Sequence, residues 1–291
     1  MNDAVRTMFE KYRERGQLES RTGYLNALRE IIQELALLGL WRMKFFERAA
    51  FYGGTALRIA HGLDRYSEDL DFSLLKPDHK FDLLRYCDGL AAEIESHGFI
   101  VKVEKRKKTK ATSVDSAFIK GNTIENLLSI GAVDAGSGNR NETIKIKLDV
   151  DVDPPGGFET EAVQLFSPIP FSVNIYKPCD LFAGKISAVL FRAWKHRVKG
   201  RDWYDLVWFA GTRDWAVNLD HLKKRMVQTG AWPRDKKLTR DDLVKLLEKR
   251  IDEVDFEDAK KDVLPFLRDK LAVKAWSKEF FRSVAGKIKT V

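Results

Sequence analysis

Residues 51–75 read FYGGTALRIAHGLDRYSEDLDFSLL, and this stretch decides how the rest of the chain is organised. Two glycines and a threonine open a segment of helix-forming composition, Ala56-Leu57-Arg58-Ile59-Ala60. A polar loop follows, and Asp69-Leu70-Asp71-Phe72 then alternates polar and apolar residues with the period of a strand. In a strand, Asp69 and Asp71 share one face while Leu70 and Phe72 turn to the core. Two carboxylates held side by side repel unless a cation lies between them, and a divalent metal is the usual one. Gly53 and Gly54 lack a Cβ, so the backbone there can approach a phosphate closely. Thr55 adds a hydroxyl at the start of a helix whose free amides favour an anion. A single turn, helix and strand thus pair a phosphate grip with a metal grip.

Working outward, YLNALREIIQELALLGLWRM places Leu25, Leu28, Ile32, Leu35 and Leu38 at three- and four-residue steps, which predicts a helix within 18–48. Phe81, Leu84, Leu90 and Ile94 predict another over 80–97, with Gly98 at its C-terminal cap. FIVKVEKRKKTKATSV predicts a strand with a basic end, and IENLLSIGAV a further strand. TIKIKLDVDVDPP predicts a strand with Ile144, Ile146, Leu148, Val150 and Val152 on one face and Lys145, Lys147, Asp149, Asp151 and Asp153 on the other. Pro154-Pro155-Gly156-Gly157 stops it. From Asp180, read as a helix N-cap, the texture is helical. The expectation is an α+β chain, with a mixed-sheet domain and its N-terminal helices over 1–171 and an all-helical domain over 172–291.

With 291 residues, 44% of them hydrophobic, the chain can bury a sizeable core. Lys plus Arg number 51 against 43 Asp plus Glu, a formal charge of +8 that favours a polyanionic partner such as RNA or a nucleotide. Cys87 and Cys179 lie far apart without a C-x-x-C spacing, which argues against a disulfide framework or a zinc site. No apolar run reaches the roughly 18 residues of a membrane span, and no cleavable leader opens the chain, so the expected compartment is the cytosol.

The helical half carries a second group of residues. Lys185 shares a stripe with Leu181, Ala188, Val189 and Arg192, which leaves it either snorkelling to solvent or aimed into a cleft. Arg201, Asp202 and Asp205 follow, the acids at i and i+3. An ordinary helical ion pair there would add only a few tenths of a kcal/mol and imply no function. Two basic stretches, 102–110 and 194–201, suit a phosphate backbone, with Trp194 a candidate stacking residue. His196 lacks metal-ligand spacing, and the other aromatic residues of this half read as core.

A Gly-Gly-Thr turn followed, after thirteen intervening residues, by Asp-x-Asp resembles the opening motif of polymerase-β-like nucleotidyltransferases. The fuller string GGTALRIAHGLDRYSEDLDF, with Arg65 and Ser67 before the aspartates, more narrowly resembles the AbiEii/AbiGii family of nucleotidyltransferase toxins, found in abortive-infection and toxin–antitoxin systems. The likeness runs over 50–209. It implies a polymerase-β-like mixed-sheet domain and a set of site residues. Asp69, Asp71 and a third carboxylate, Asp149 or Asp151, would hold Mg²⁺, as two ions. Gly53, Gly54, Thr55, Arg65 and Ser67 would bind the nucleotide. The D-x-x-x-x-K and R-D-x-Y-D patterns carry an active-site role onto Lys185 and Asp205. The implied reaction moves a nucleoside monophosphate from an NTP to an acceptor, the tRNA 3′ end, and the implied protein partner is an antitoxin. A protein acceptor is one alternative. A catalytically silent RNA- or partner-binding module is another, against which Asp69, Asp71 and Lys185 argue.

Overall fold

The structure is a computed structural model and describes residues 2–106, 113–132, 139, 141–192, 198–212 and 215–291. It divides into two units. The first comprises Met1–His61, Ser67–Pro154 and Ala162–Ile175, the second Gly62–Tyr66, Pro155–Glu161 and Tyr176–Val291. No helix among the described residues is long and apolar enough to cross a membrane.

The first unit is built on α1 (Asp3–Glu14), α2 (Arg21–Arg42), β1 (Ala49–Tyr52), α3 (Gly53–His61), β2 (Leu70–Leu74), α4 (Leu84–Ser96), β3 (Lys102–Lys105), β4 (Val114–Asn122), α5 (Thr123–Ser129), β5 (Thr143–Asp151), β6 (Thr160–Leu165) and β7 (Phe171–Tyr176). The strands form one mixed sheet in the order β3-β4-β5-β2-β1-β7-β6. β5 runs parallel to β2, and β1 runs antiparallel to β2 but parallel to β7. The expected alternation holds: Ile144, Ile146, Leu148, Val150, Leu70 and Phe72 are all buried. Phe51 and Phe72 are register partners with ring centroids 5.3 Å apart, and Phe45 meets Phe72 edge-on at 5.0 Å. Such pairs add about 0.5–1.5 kcal/mol each beyond their buried area. They fix the alignment of β1 and β2, and with it the turn at Gly53.

Three local readings of the sequence need correction. IENLLSIGAV does not form a strand, because its first residues lie in α5. Asn122 decides this: its side chain accepts the Ile124 and Glu125 amides at 2.9 and 3.1 Å, an N-cap that outweighs the apolar run. The helix expected from residue 80 starts at Leu84, where Asp82 and Asp115 accept the Leu84 and Leu83 amides, although it does end at Gly98, which has φ +92°. Asp180 is not an N-cap. Pro178 opens its helix, and the Asp180 carboxylate accepts the Glu159 amide at 2.9 Å and the Asn218 side chain at 2.7 Å. The sequence reading also lacked β6 and β7, which Pro168 and Pro170 separate.

The second unit contains α6 (Pro178–Phe191), α7 (Gly200–Thr212), α8 (Leu219–Gln228), α9 (Arg240–Glu253), α10 (Phe256–Val263) and α11 (Lys278–Lys287). Its core is built on aromatic residues, as the sequence implies: Trp203, Phe182, Phe209 and Phe281 are fully buried, with Phe182 stacked on Phe209 at 4.4 Å. Gly200 is required at the start of α7, since a Cβ there would lie 1.9 Å from the Ala259 carbonyl oxygen of α10.

The Pro155-Gly156-Gly157 part of the stop after β5 is clasped within this unit. His221 on α8 is fully buried between Phe158 and Tyr176, and its Nδ1 donates to the Gly156 carbonyl at 2.8 Å. Its Nε2 is buried with no hydrogen-bond partner. Burial pushes this imidazole down to about 4, against the opposing pull of the Gly156 carbonyl. The unfolded chain therefore takes up a proton near the ordinary value of 6.5, which the folded chain refuses until about 4. Stability falls as pH drops through that window, by on the order of 3 kcal/mol from this group. We expect His221→Gln to flatten the pH dependence of the urea unfolding midpoint between neutral pH and about 4.5; equal slopes in variant and parent would refute the assignment.

Candidate active site

Within the first unit the parallel register of β2 and β5 pairs Asp71 with Asp149 and Ser73 with Asp151. Lateral partners point to the same face, so Asp71 and Asp149 stand side by side on adjacent strands. Asp151 lies one step further along, beside Ser73, and accepts the Asp153 amide at 3.1 Å. Asp69 immediately precedes β2, and its carbonyl receives the Thr55 hydroxyl. Thr55 is fully buried, so this hydroxyl ties the start of α3 to the start of β2. Ser67 is held through its carbonyl, which accepts from Gln33 at 3.2 Å.

Gly53 opens α3 with φ +84°, a conformation that suits glycine, and a Cβ there would lie 2.5 Å from Asp71 Oδ2. The Asp71 carboxylate thus lies against the backbone at the N-terminus of α3, which carries free amides and the positive end of the helix dipole. Asp149 accepts the Ser116 hydroxyl at 2.7 Å and forms an ion pair with Lys147.

These residues offer a hard cation an open set of oxygen donors. Among the described residues, no three His, Cys, Asp or Glu side chains group closely enough to form a closed metal site. Mg²⁺ takes one or two carboxylates and completes its shell with water and substrate phosphates, so the neighbouring Asp71 and Asp149 fit it better than they would fit zinc. The Lys147 ammonium already balances Asp149, and a divalent cation would compete with it for the same carboxylate.

The second unit holds the other group. Asp205, on α7, is fully buried and receives Arg65 in a two-pronged pair, Nε to Oδ1 and Nη2 to Oδ2, both 2.6 Å. Lys185, on α6, reaches Asp205 Oδ2 at 2.7 Å. Arg65 Nη1 also donates to the Tyr66 carbonyl at 2.9 Å. Burial pushes the Asp205 carboxyl up, but the Arg65 guanidinium and then the Lys185 ammonium outweigh it and hold the group below its usual range. Burial likewise works against the Arg65 charge, and Asp205 more than offsets it, so Arg65 is raised. The 62–66 segment is fastened twice more: Tyr204 donates to Asp64 at 2.7 Å, and the Tyr66 amide donates to the Phe266 carbonyl at 2.9 Å. Asp202, three residues before Asp205, pairs instead with Arg192 at 2.8 Å.

The sequence-derived residues thus gather as two groups, one in each unit: Gly53, Thr55, Asp69, Asp71 and Asp149 in the first, and Arg65, Lys185 and Asp205 in the second. Lys147 and Ser116 were not among them. Lys147 was findable, since it sits two residues before Asp149 on the same strand face. Ser116 and the Arg65–Asp205 pair were not, because partners 33 and 140 residues apart leave no local pattern. Trp194, His196 and parts of both basic stretches lie outside the described residues.

Two solved structures align with this chain. One, from H. pylori and described as a candidate nucleotidyltransferase, is 18% identical with a TM-score of 0.47, covering 89% of this chain and 90% of its own. The other, JHP933 from Helicobacter pylori, is 19% identical with a TM-score of 0.45, covering 89% and 87% respectively. No curated protein sequence matches. A family profile described as "Nucleotidyl transferase AbiEii toxin, Type IV TA system" matches residues 35–283, which include both groups of site residues. The chain belongs to this AbiEii toxin family of type IV toxin–antitoxin systems and is a nucleotidyltransferase.

Proposed function

We propose that this nucleotidyltransferase moves a nucleoside monophosphate from an NTP to the 3′ hydroxyl of a tRNA, releasing pyrophosphate. The observation that carries the reading is the lateral pairing of Asp71 with Asp149 against the N-terminus of α3. Asp71 and Asp149 would hold Mg²⁺; Asp69, expected beside them, does not close a three-carboxylate group with them among the described residues, and Asp149 is favoured over Asp151 because it is the one aligned with Asp71. Bound Mg²⁺ would supply Lewis-acid stabilisation to the attacking and leaving oxygens of an in-line displacement. The α3 amides after Gly53 and Gly54 would meet the outer phosphates, as a helix N-terminus does for an anion. The acceptor oxygen forms its bond to the α-phosphorus as the bond to pyrophosphate breaks, and a carboxylate of the β2–β5 row takes the released proton.

Lys185 would offset charge on the triphosphate, with Asp205 fixing the ammonium and Arg65 fixing Asp205. This assigns Arg65 a positioning role in place of direct nucleotide contact. Thr55 likewise holds the α3–β2 turn in shape through its own hydroxyl. The excess of 51 basic over 43 acidic residues supports a polyanionic acceptor, and extra nucleotides on a tRNA end would block aminoacylation and arrest growth, which suits a toxin of an abortive-infection system. Such substrates put the reaction in the cytoplasm, with a cognate antitoxin as the protein partner.

Incubation with α-labelled NTP, Mg²⁺ and total RNA or cell extract tests the acceptor. Label in tRNA is expected; label in protein favours the alternative acceptor, and no label removes the reaction. In that assay Asp71→Asn and Asp149→Asn should each lower transfer by on the order of 100-fold or more, while Asp151→Asn stays within a few-fold of the parent. The reverse ranking of Asp149 and Asp151 would exchange their roles. Lys185→Gln should cost on the order of 100-fold in transfer with little change in melting temperature. Asp205→Asn should instead cost about 3–5 kcal/mol of stability, because it strands a buried guanidinium. The depressed Asp205 carboxyl contributes its stability above its ordinary unfolded value near 4 and loses it as pH falls through the lower folded value.

A further inference from the structure

The face of the sheet that bears Asp71 and Asp149 continues away from them across β5, β4 and β3. On β5 the same-face residues before Asp149 are Lys147 and Lys145. The β4–β5 register sets Ser116 beside Asp149, Phe118 beside Lys147 and Lys120 beside Lys145. The β3–β4 register adds Glu104 beside Phe118 and Lys102 beside Lys120. The opposite face carries Ile119, Ile144, Ile146 and Leu148, all buried. The outward face is therefore four lysines and one acid around a half-buried phenylalanine. Lys145 Nζ sits 3.9 Å from the Phe118 ring centroid, Lys120 Nζ sits 5.8 Å from it, and Lys120 also reaches Glu104 at 2.6 Å.

Lysines on and beside an edge strand have an ordinary explanation, the prevention of sheet-to-sheet association. Phe118 has none of that kind, because an aromatic ring on a solvent-facing position among lysines works against both solubility and edge protection. An aromatic platform flanked by ammonium groups on an open sheet is what single-stranded nucleic acid requires: a base stacks on the ring while its neighbouring phosphates meet the cations. Lys145 over Phe118 is a contact worth little at an exposed site, so a base can replace it on the ring as the ammonium turns to a phosphate. From Lys145 to Asp149 the strand rises about 13 Å, and three strands span about 10 Å across it.

We propose that the outward face of β3, β4 and β5 is a track for a single-stranded RNA end, with Phe118 as its stacking platform and Lys102, Lys120 and Lys145 as its phosphate contacts. The track leads the strand to the Asp71–Asp149 row, and in naming how the acceptor is held it rests on the reaction proposed above.

The test is fluorescence anisotropy of the full chain with a short fluorescein-labelled single-stranded RNA of mixed sequence, without NTP or Mg²⁺, so that binding is read apart from chemistry. Phe118→Ala should weaken binding at least about fivefold, and Phe118→Trp should keep it. Lys145→Gln and Lys102→Gln should each lower the slope of log affinity against log salt by about 0.7. The same RNA as a duplex should bind without regard to Phe118. Parent-like binding and salt slope in Phe118→Ala and Lys145→Gln would overturn the track, as would equal weakening of duplex and single strand. Should Phe118→Ala fail to fold, the lysine variants and Phe118→Trp carry the test. Phe118-dependent binding in a parent that transfers no nucleotide would remove the reaction and leave the track standing. Transfer to RNA with binding indifferent to Phe118 and the lysines would remove the track and leave the reaction standing.

Discussion

The parallel alignment of β2 with β5 is the constraint on which the sheet and its acidic row depend. Side chains alternate strictly along a strand, so a slip of one residue in either would send Asp71 or Asp149 into the apolar layer and expose Leu70, Phe72, Leu148 or Val150. The cost of burying a carboxylate among Leu and Phe side chains, added to the loss of apolar burial, makes that slip prohibitive. The hydrophobic pattern that stabilises the unit and the placement of the carboxylates are thus one decision. The Phe45–Phe72–Phe51 cluster locks β1 to β2 in turn, which brings Gly53 under the Asp71 carboxylate. At φ +84°, and with Asp71 Oδ2 only 2.5 Å from where a Cβ would lie, that position does not accommodate a side chain.

Much of this was legible because it is local. Alternation along 143–153 gave the two faces of β5, and Asp69-Leu70-Asp71-Phe72 gave those of β2, each from spacing alone. Composition also separated the helical second unit's aromatic core correctly. Where reading failed, a local polar bond overrode an apolar pattern: Asn122 turned IENLLS into α5, and Asp82 with Asp115 moved the start of α4. The Asp180 error has the same origin, since Pro178 can open a helix and frees Asp180 to bind the Glu159 amide and Asn218. Distance in sequence sets the other limit. That Asp71 would be the neighbour of Asp149 follows from strand order, which no spacing rule supplies, and the Arg65–Asp205 pair spans 140 residues.

The second-unit cluster poses an energetic question of its own. Taking Asp205, Arg65 and most of Lys185 out of water is costly, and a well-packed apolar trio of similar volume would be as stable or more so. Stability therefore does not account for these residue types. What ions provide and apolar side chains do not is a fixed ammonium. Asp205 spends one oxygen on Arg65 Nε and shares the other between Arg65 Nη2 and Lys185. The guanidinium fork holds the carboxylate in one orientation, and the carboxylate then holds the lysine. Arg65 and Lys185 share the one Asp205 carboxylate, and Lys185 is the member with 13% of its side chain exposed where Asp205 has none. A cationic group kept rigid and partly open, supported by a pair that is itself tied down through Tyr204, Asp64 and the Tyr66 amide, is preorganised for an anion before any ligand arrives. That is the physical support for the role proposed for Lys185, with Arg65 behind it.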